Sequence, residues 1–162
     1  PQRDDHGFPR AFITRQPARH RLVHPHVQQR LERHASGRLH SPPHERHVDH
    51  FARIGADGII RDSDLKALAD LAQYPTVHVK ISAYYALGRK QSPYTDLIPM
   101  IERMLEAYSA ERLMWASDCP YQIVPPHNYA DSLALIRERM PGLTSEQREW
   151  LLKRTAEKVF FG

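Results

Sequence analysis

Asp118 ends the apolar segment Leu113-Met114-Trp115-Ala116-Ser117 and is followed directly by Cys119 and Pro120. The run reads as a short buried strand, because proline cannot continue a central ladder. A carboxylate left at that point is costly unless a metal, a proton-transfer partner or a cation meets it. His50 ends the segment His47-Val48-Asp49-His50 in the same manner. If the two strands are parallel, both side chains project from one carboxyl-terminal rim, where α/β barrels and open parallel sheets do their chemistry. An imidazole and a carboxylate on one rim could bind a divalent metal, or divide acid and base roles in attack by water. Taken singly, His50 also fits a solvent-facing loop histidine, and Asp118 a turn residue before proline.

Three other groups could serve such a pair. Thr76 to Ser82 alternates, with Val77, Val79 and Ile81 on one face and His78, Lys80 and Ser82 on the other. The apolar set suits helices, which leaves Lys80 to hold an anionic substrate group or a neighbouring acid. Tyr84, Tyr85, Arg89 and Lys90 follow in the next loop. Tyrosines beside an arginine suit a carboxylate-bearing ligand, since guanidinium offers a planar fork of donors. Arg89, Tyr84 and Lys80 are therefore the candidate substrate-binding residues, although a solvated loop has the same composition. His24-Pro25-His26 has the form of a metal pair, but histidine is so frequent there that the spacing reads as chance. Cys119 fits a small buried residue at a strand end better than a soft ligand.

The elements that must position these residues become regular only after about residue 46. Ser63 is placed to cap a helix carrying Leu65, Leu68, Ala69 and Ala72 at helical spacing, stopped before Pro75. Thr95 opens a helix with Leu97, Ile98, Ile101, Met104 and Leu105, and Leu113 begins the strand that leads to Asp118. Residues 128–140 form a further helix, and Thr144 with Gln147 makes a capping box for the last one. Strand, helix, strand, helix, strand, helix, helix is the order of repeated βα units on a parallel sheet.

Charge divides the chain at the same place. Residues 1–50 hold nine arginines against five acids, giving +4, and nine of the eleven histidines; the remainder balances fourteen bases with fourteen acids. Residues 1–46 lack the apolar density that offsets chain entropy and are expected to be disordered. Their bias, abruptly replaced by regular sequence, is also what a shifted frame of GC-rich coding DNA would give. A basic arm for polyanions or nucleic acid is the alternative, though Phe8 and Phe12 are its only aromatics. A single cysteine, no membrane-length apolar run and no signal-peptide pattern lead to the expectation of a soluble, cytoplasmic protein.

Four segments in order carry a family resemblance. Val48-Asp49-His50-Phe51 precedes a Gly-containing loop; Tyr74 to Ser82 reads YPTVHVKIS; Glu111 to Pro120 reads ERLMWASDCP; Thr155 to Phe160 reads TAEKVF. Together they resemble the amidohydrolase-related family of barrel hydrolases, in the branch of pyrone-dicarboxylate lactonase-like and sugar-lactone hydrolases. The resemblance implies a hydrolase in which water attacks a lactone or similar carbonyl of a carboxylate-bearing small molecule. It implies catalytic and metal-site roles for His50 and Asp118, with zinc as the divalent metal, although some relatives use none. It places Arg89 near a substrate-carboxylate arginine by position alone. Ala116, Cys119 and Thr155 depart from the family's usual Gly, Trp and Asn. Residues 47–162 would form the last three βα units and terminal helix of a (β/α)8 barrel, which needs roughly 250 residues. Little or no turnover is expected from that part alone, unless it serves as a non-catalytic subunit completed by another chain.

Overall fold

The computed structural model describes residues 46–162 and, before them, only Pro25 and Gln29. The expectations for residues 1–45, including the His24 and His26 pair, lie outside the described residues. Strands β1 (Arg46–Val48), β2 (Val77–Ser82) and β3 (Leu113–Ala116) form one parallel sheet in the order β1-β2-β3. Val48 is opposite Val79, Val79 opposite Leu113, and Ser82 opposite Ala116. Arg46, grouped by sequence with the preceding segment, opens β1 and donates its N–H to the Thr76 carbonyl at 2.9 Å.

Helix α1 (Asp62–Asp70) joins β1 to β2, and α2 (Ile98–Tyr108) joins β2 to β3. Ser63 does not cap α1. The helix starts two residues earlier than a Ser63 cap would place it, after Arg61, with no side-chain cap, while Asp62 and Asp64 meet the positive end of the helix dipole. The alternation in β2 is realised: Val77, Val79 and Ile81 join Leu68, Ile101, Met104 and Leu113 in one apolar cluster. The Tyr108 hydroxyl crosses from α2 to the Leu68 carbonyl of α1 at 2.6 Å, so the polar end of this ring is satisfied inside the core.

Asn128 caps α3 (Tyr129–Ala134) by accepting the Asp131 N–H at 2.7 Å, and the helix widens into a π-turn at Leu135–Arg139. The capping box forms as expected on α4 (Ser145–Glu149), which passes through a second π-turn into α5 (Thr155–Phe161). Arg148 donates to the carbonyls of Ile136 and Met140, which the end of the preceding helix leaves without intrahelical partners, and to that of Leu143 in the connection between the two helices. Buried Thr155 donates its hydroxyl to the Ala110 carbonyl at 3.0 Å, anchoring the last helix to the turn before β3. No helix among the described residues is long and apolar enough to cross a membrane.

Candidate active site at the carboxyl rim

All three strands end in left-handed backbone. His50 (φ 53°) follows β1 by two residues, Ala83 (φ 60°) follows β2 directly, and Asp118 (φ 56°) follows β3 by two. After β1 the left-handed run lasts four residues, His50 to Arg53, with Phe51 and Ala52 buried beneath it. Such backbone costs of order 1–3 kcal/mol per non-glycine residue and persists only where packing over-determines it. The rim loops themselves are tied together by the Gly88 N–H, which donates to the Gly55 carbonyl at 3.0 Å.

These turns bring His50 and Asp118 face to face. His50 Nε2 lies 3.8 Å from Asp118 Oδ1, with both side chains largely but not wholly buried. The other ring nitrogen, Nδ1, is 2.7 Å from the Ser82 hydroxyl at the end of β2. When Ser82 donates there, the ring proton sits on Nε2, the edge that faces the carboxylate. Asp118 Oδ2 accepts the phenol of Tyr85 at 2.8 Å. Burial first, and donation to Asp118 second, push the Tyr85 phenol up to about 12, so it stays a donor at neutral pH. Each reactive group therefore has one atom held and one atom free toward its partner.

Other candidates fall elsewhere. Tyr84 is fully buried in the core and its hydroxyl is driven upward by desolvation, so it cannot touch a substrate at the rim. Left-handed Ala83 re-aims the chain, and Tyr85 is the ring that reaches the site. Lys80 binds Asp49 at 2.9 Å and lies over the Phe160 ring at 5.6 Å, so its charge is already matched within the fold. Burial raises the Asp49 carboxyl, but the Lys80 hydrogen bond and charge outweigh it and hold the group below its ordinary value. The Arg89 side chain is exposed, and among the described residues its backbone N–H, not its guanidinium, is the group engaged, by Asp96 at 2.8 Å. Cys119, expected to be buried, is exposed.

Sequence reasoning passed over Ser82 as a partner of His50, and also Arg53, Tyr121, Gln122 and His127. Tyr121 stacks on Tyr85 at 6.3 Å and His127 tilts against the same ring at 6.0 Å. Gln122 is buried and donates to the Tyr94 hydroxyl. No local signal marks these residues, since their contacts join segments about thirty positions apart.

A catalytic zinc takes three protein ligands and keeps one open position. His50 Nε2 and Asp118 Oδ1 provide two donors, and among the described residues no group of three or more His, Cys, Asp or Glu could hold a metal. By themselves, the described residues do not fit a metal centre.

The amidohydrolase family model matches residues 47–162. Over 117 residues the chain is 25% identical to the 4-sulfomuconolactone hydrolase of Hydrogenophaga intermedia, a match covering 70% of this chain and 38% of that protein. A crystal structure from Pseudomonas putida, assigned as a 2-pyrone-4,6-dicarboxylic acid hydrolase, aligns with a TM-score of 0.59 at 27% identity. An amidohydrolase from Burkholderia multivorans, crystallised with bound zinc, aligns with the same TM-score at 21% identity. Both structural alignments cover 70% of this chain and 42% of the other. The chain thus spans about two-fifths of the length of these relatives.

Proposed function

Because the chain belongs to the amidohydrolase family through residues 47–162, we propose that its rim is the base-and-acid part of a lactone-hydrolysing site. In this reading the three parallel strands are the last βα units of a (β/α)8 barrel, whose carboxyl-terminal face carries the chemistry. The observation that carries it is the approach of His50 and Asp118 to 3.8 Å, with Ser82 and Tyr85 holding their outer atoms.

Asp118 Oδ1 takes a proton from water as the water oxygen adds to the ligand's carbonyl carbon. His50 Nε2–H donates to the carbonyl oxygen on which charge develops. Collapse of the tetrahedral species breaks the ring C–O bond, and the proton held by Asp118 passes to the departing oxygen. Water and lactone thereby become one open-chain hydroxy acid. Tyr85 keeps Oδ2 occupied, so Oδ1 is the oxygen left to act as base. A divalent metal such as zinc, bound by the Burkholderia relative, would supply Lewis-acid polarisation; His50 and Asp118 would join it only with Nε2 unprotonated, in place of the donor role given to that nitrogen. The residues described fall short of the full set, so water activation is assigned to the side chains alone. The substrate class is a small lactone carrying an anionic group, as the names of the sulfomuconolactone and pyrone-dicarboxylate relatives suggest.

Proton release from a panel of anionic lactones tests the proposal. The described residues are only part of a barrel, so hydrolysis by this chain should be slow; whatever rate exceeds the buffer rate should fall by about 10²–10⁴-fold in Asp118→Asn. Equal rates for the two proteins, both above the buffer rate, would remove Asp118 as the base.

A further inference from the structure

The loop between β3 and α3 holds a second imidazole, His127, whose polarity its neighbours dictate. The buried amide nitrogen of Gln122 donates twice, to the Tyr94 phenol oxygen at 2.9 Å and to the Asn128 carbonyl at 3.2 Å. A carbonyl only accepts, so this edge of Gln122 must be its NH2 edge. The Tyr94 oxygen thus receives one proton, and its own is free for His127 Nδ1, 3.0 Å away. Stacking of the Tyr94 and His127 rings at 6.1 Å holds the pair in register. In a neutral imidazole one nitrogen accepts and the other carries the proton, which puts the proton on Nε2. No hydrogen bond from the described residues reaches that nitrogen, and the His127 side chain is only half-buried.

His127 also stands in a suitable place. Its ring tilts against Tyr85 at 6.0 Å, and Tyr85 holds Asp118. An anionic group must be kept off the Asp118 carboxylate, because like charges at short range repel. The Tyr85 ring provides that spacing. Arg53, from the strained turn after β1, acts electrostatically on the same Tyr85 and adds positive charge to this side of the rim. The loop is pinned at both ends, by the Gln122 N–H on the Asp118 carbonyl and by the Asn128 cap of α3.

We infer that His127 is an anion-anchoring residue of the rim, held by Gln122 and Tyr94 so that its Nε2–H is offered to a carboxylate or sulfonate oxygen of the ligand. This rests on reading the rim as a lactone-hydrolase site, and it gives the anchoring role expected of Arg89 to a residue behind Tyr85.

Ring-nitrogen ¹⁵N NMR of the full chain, titrated with the non-hydrolysable probe benzene-1,3-dicarboxylate, tests the inference. Free His127 should show an unprotonated Nδ1 and a protonated Nε2, and Tyr94→Phe should let the proton spread over both nitrogens. The probe should shift Nε2–H, and His127→Phe should weaken its binding by about tenfold, whereas His127→Gln, which retains an N–H donor, should stay within about threefold of wild type. A proton fixed on Nδ1, a wild type that ignores the probe, or His127→Phe binding as wild type would each overturn the anchor. The two failures separate cleanly. Probe binding that depends on His127, in a protein without lactone turnover, would keep the anchor and discard the hydrolysis. Turnover in a protein whose probe binding ignores His127 would do the reverse.

Discussion

On the helix-packed face of the sheet, Val79, Ile81 and Leu113 share one apolar cluster with Leu68, Ile101 and Met104, all fully buried. A few residues further along the same strands, Ser82, His50, Asp118 and Tyr85 meet through polar contacts at left-handed turns formed by His50, Ala83 and Asp118. The first region is held by removing apolar area from water and needs no particular bond geometry. The second spends conformational energy to aim four side chains, and it persists because the first is rigid. Strain and polarity concentrated at one end of a sheet are what distinguish the candidate site from the scaffold beneath it.

Changes on the two sides should therefore have different signatures. Ile101→Ala in the core should cost about 2–5 kcal/mol of stability through lost transfer energy and a residual cavity. Chemical denaturation would measure it, and a cost below 1 kcal/mol would mean the cluster is looser than its burial indicates. Gly88→Ala, where the rim loops meet, should cost about 1–3 kcal/mol. Gly88 has φ +56°, and an added Cβ would lie 2.4 Å from an Asp96 carboxylate oxygen. That loss should appear in stability and rate together, because the substitution disturbs both loops of the site.

Tyr85→Phe should separate the regions most sharply. It removes one hydroxyl at the rim and no core contact, so turnover should drop by about 10–100-fold while the melting temperature stays near wild type. A variant that keeps its rate would show that Asp118 needs no second partner. Thr144→Ala, far from the rim, should cost about 1 kcal/mol by breaking the capping box and leave any rate unchanged.

The smallest effect is one of pH. The Asp49 carboxyl is held below its ordinary 3.8, with burial opposing and Lys80 prevailing. The folded state therefore favours the ionised form. The resulting stability is complete above that ordinary value and disappears as pH falls through the lower folded one. Both partners are partly exposed, so solvent screening limits the contribution to about 1 kcal/mol or less. Acid denaturation of Lys80→Met against wild type should show a difference at neutral pH that closes in this acid window.

Much of the scaffold was legible because its signals are local. Alternation in Val77 to Ser82 required one face toward the helices, and the Thr144–Gln147 spacing required a helix start. His50 and Asp118 could be paired on paper because parallel strands put their ends on one rim. The rest of the rim could not. Tyr84 and Tyr85 are adjacent tyrosines, and only the left-handed turn at Ala83 decides which enters the core. The fate of Lys80 depends on Asp49 across the sheet, and that of His127 on Tyr94 and Gln122 from separate loops.

Residue order and periodicity alone determined that residues 47–162 form alternating strands and helices with an acid and an imidazole at strand ends. Those features follow from the repeat of backbone geometry, which each residue senses through its near neighbours. Only the tertiary structure decided that Tyr85 holds Asp118, that Ser82 holds His50, and that Lys80 is already paired. Such choices depend on which distant atoms arrive within hydrogen-bond range, and that distance is set by the packing of the whole sheet.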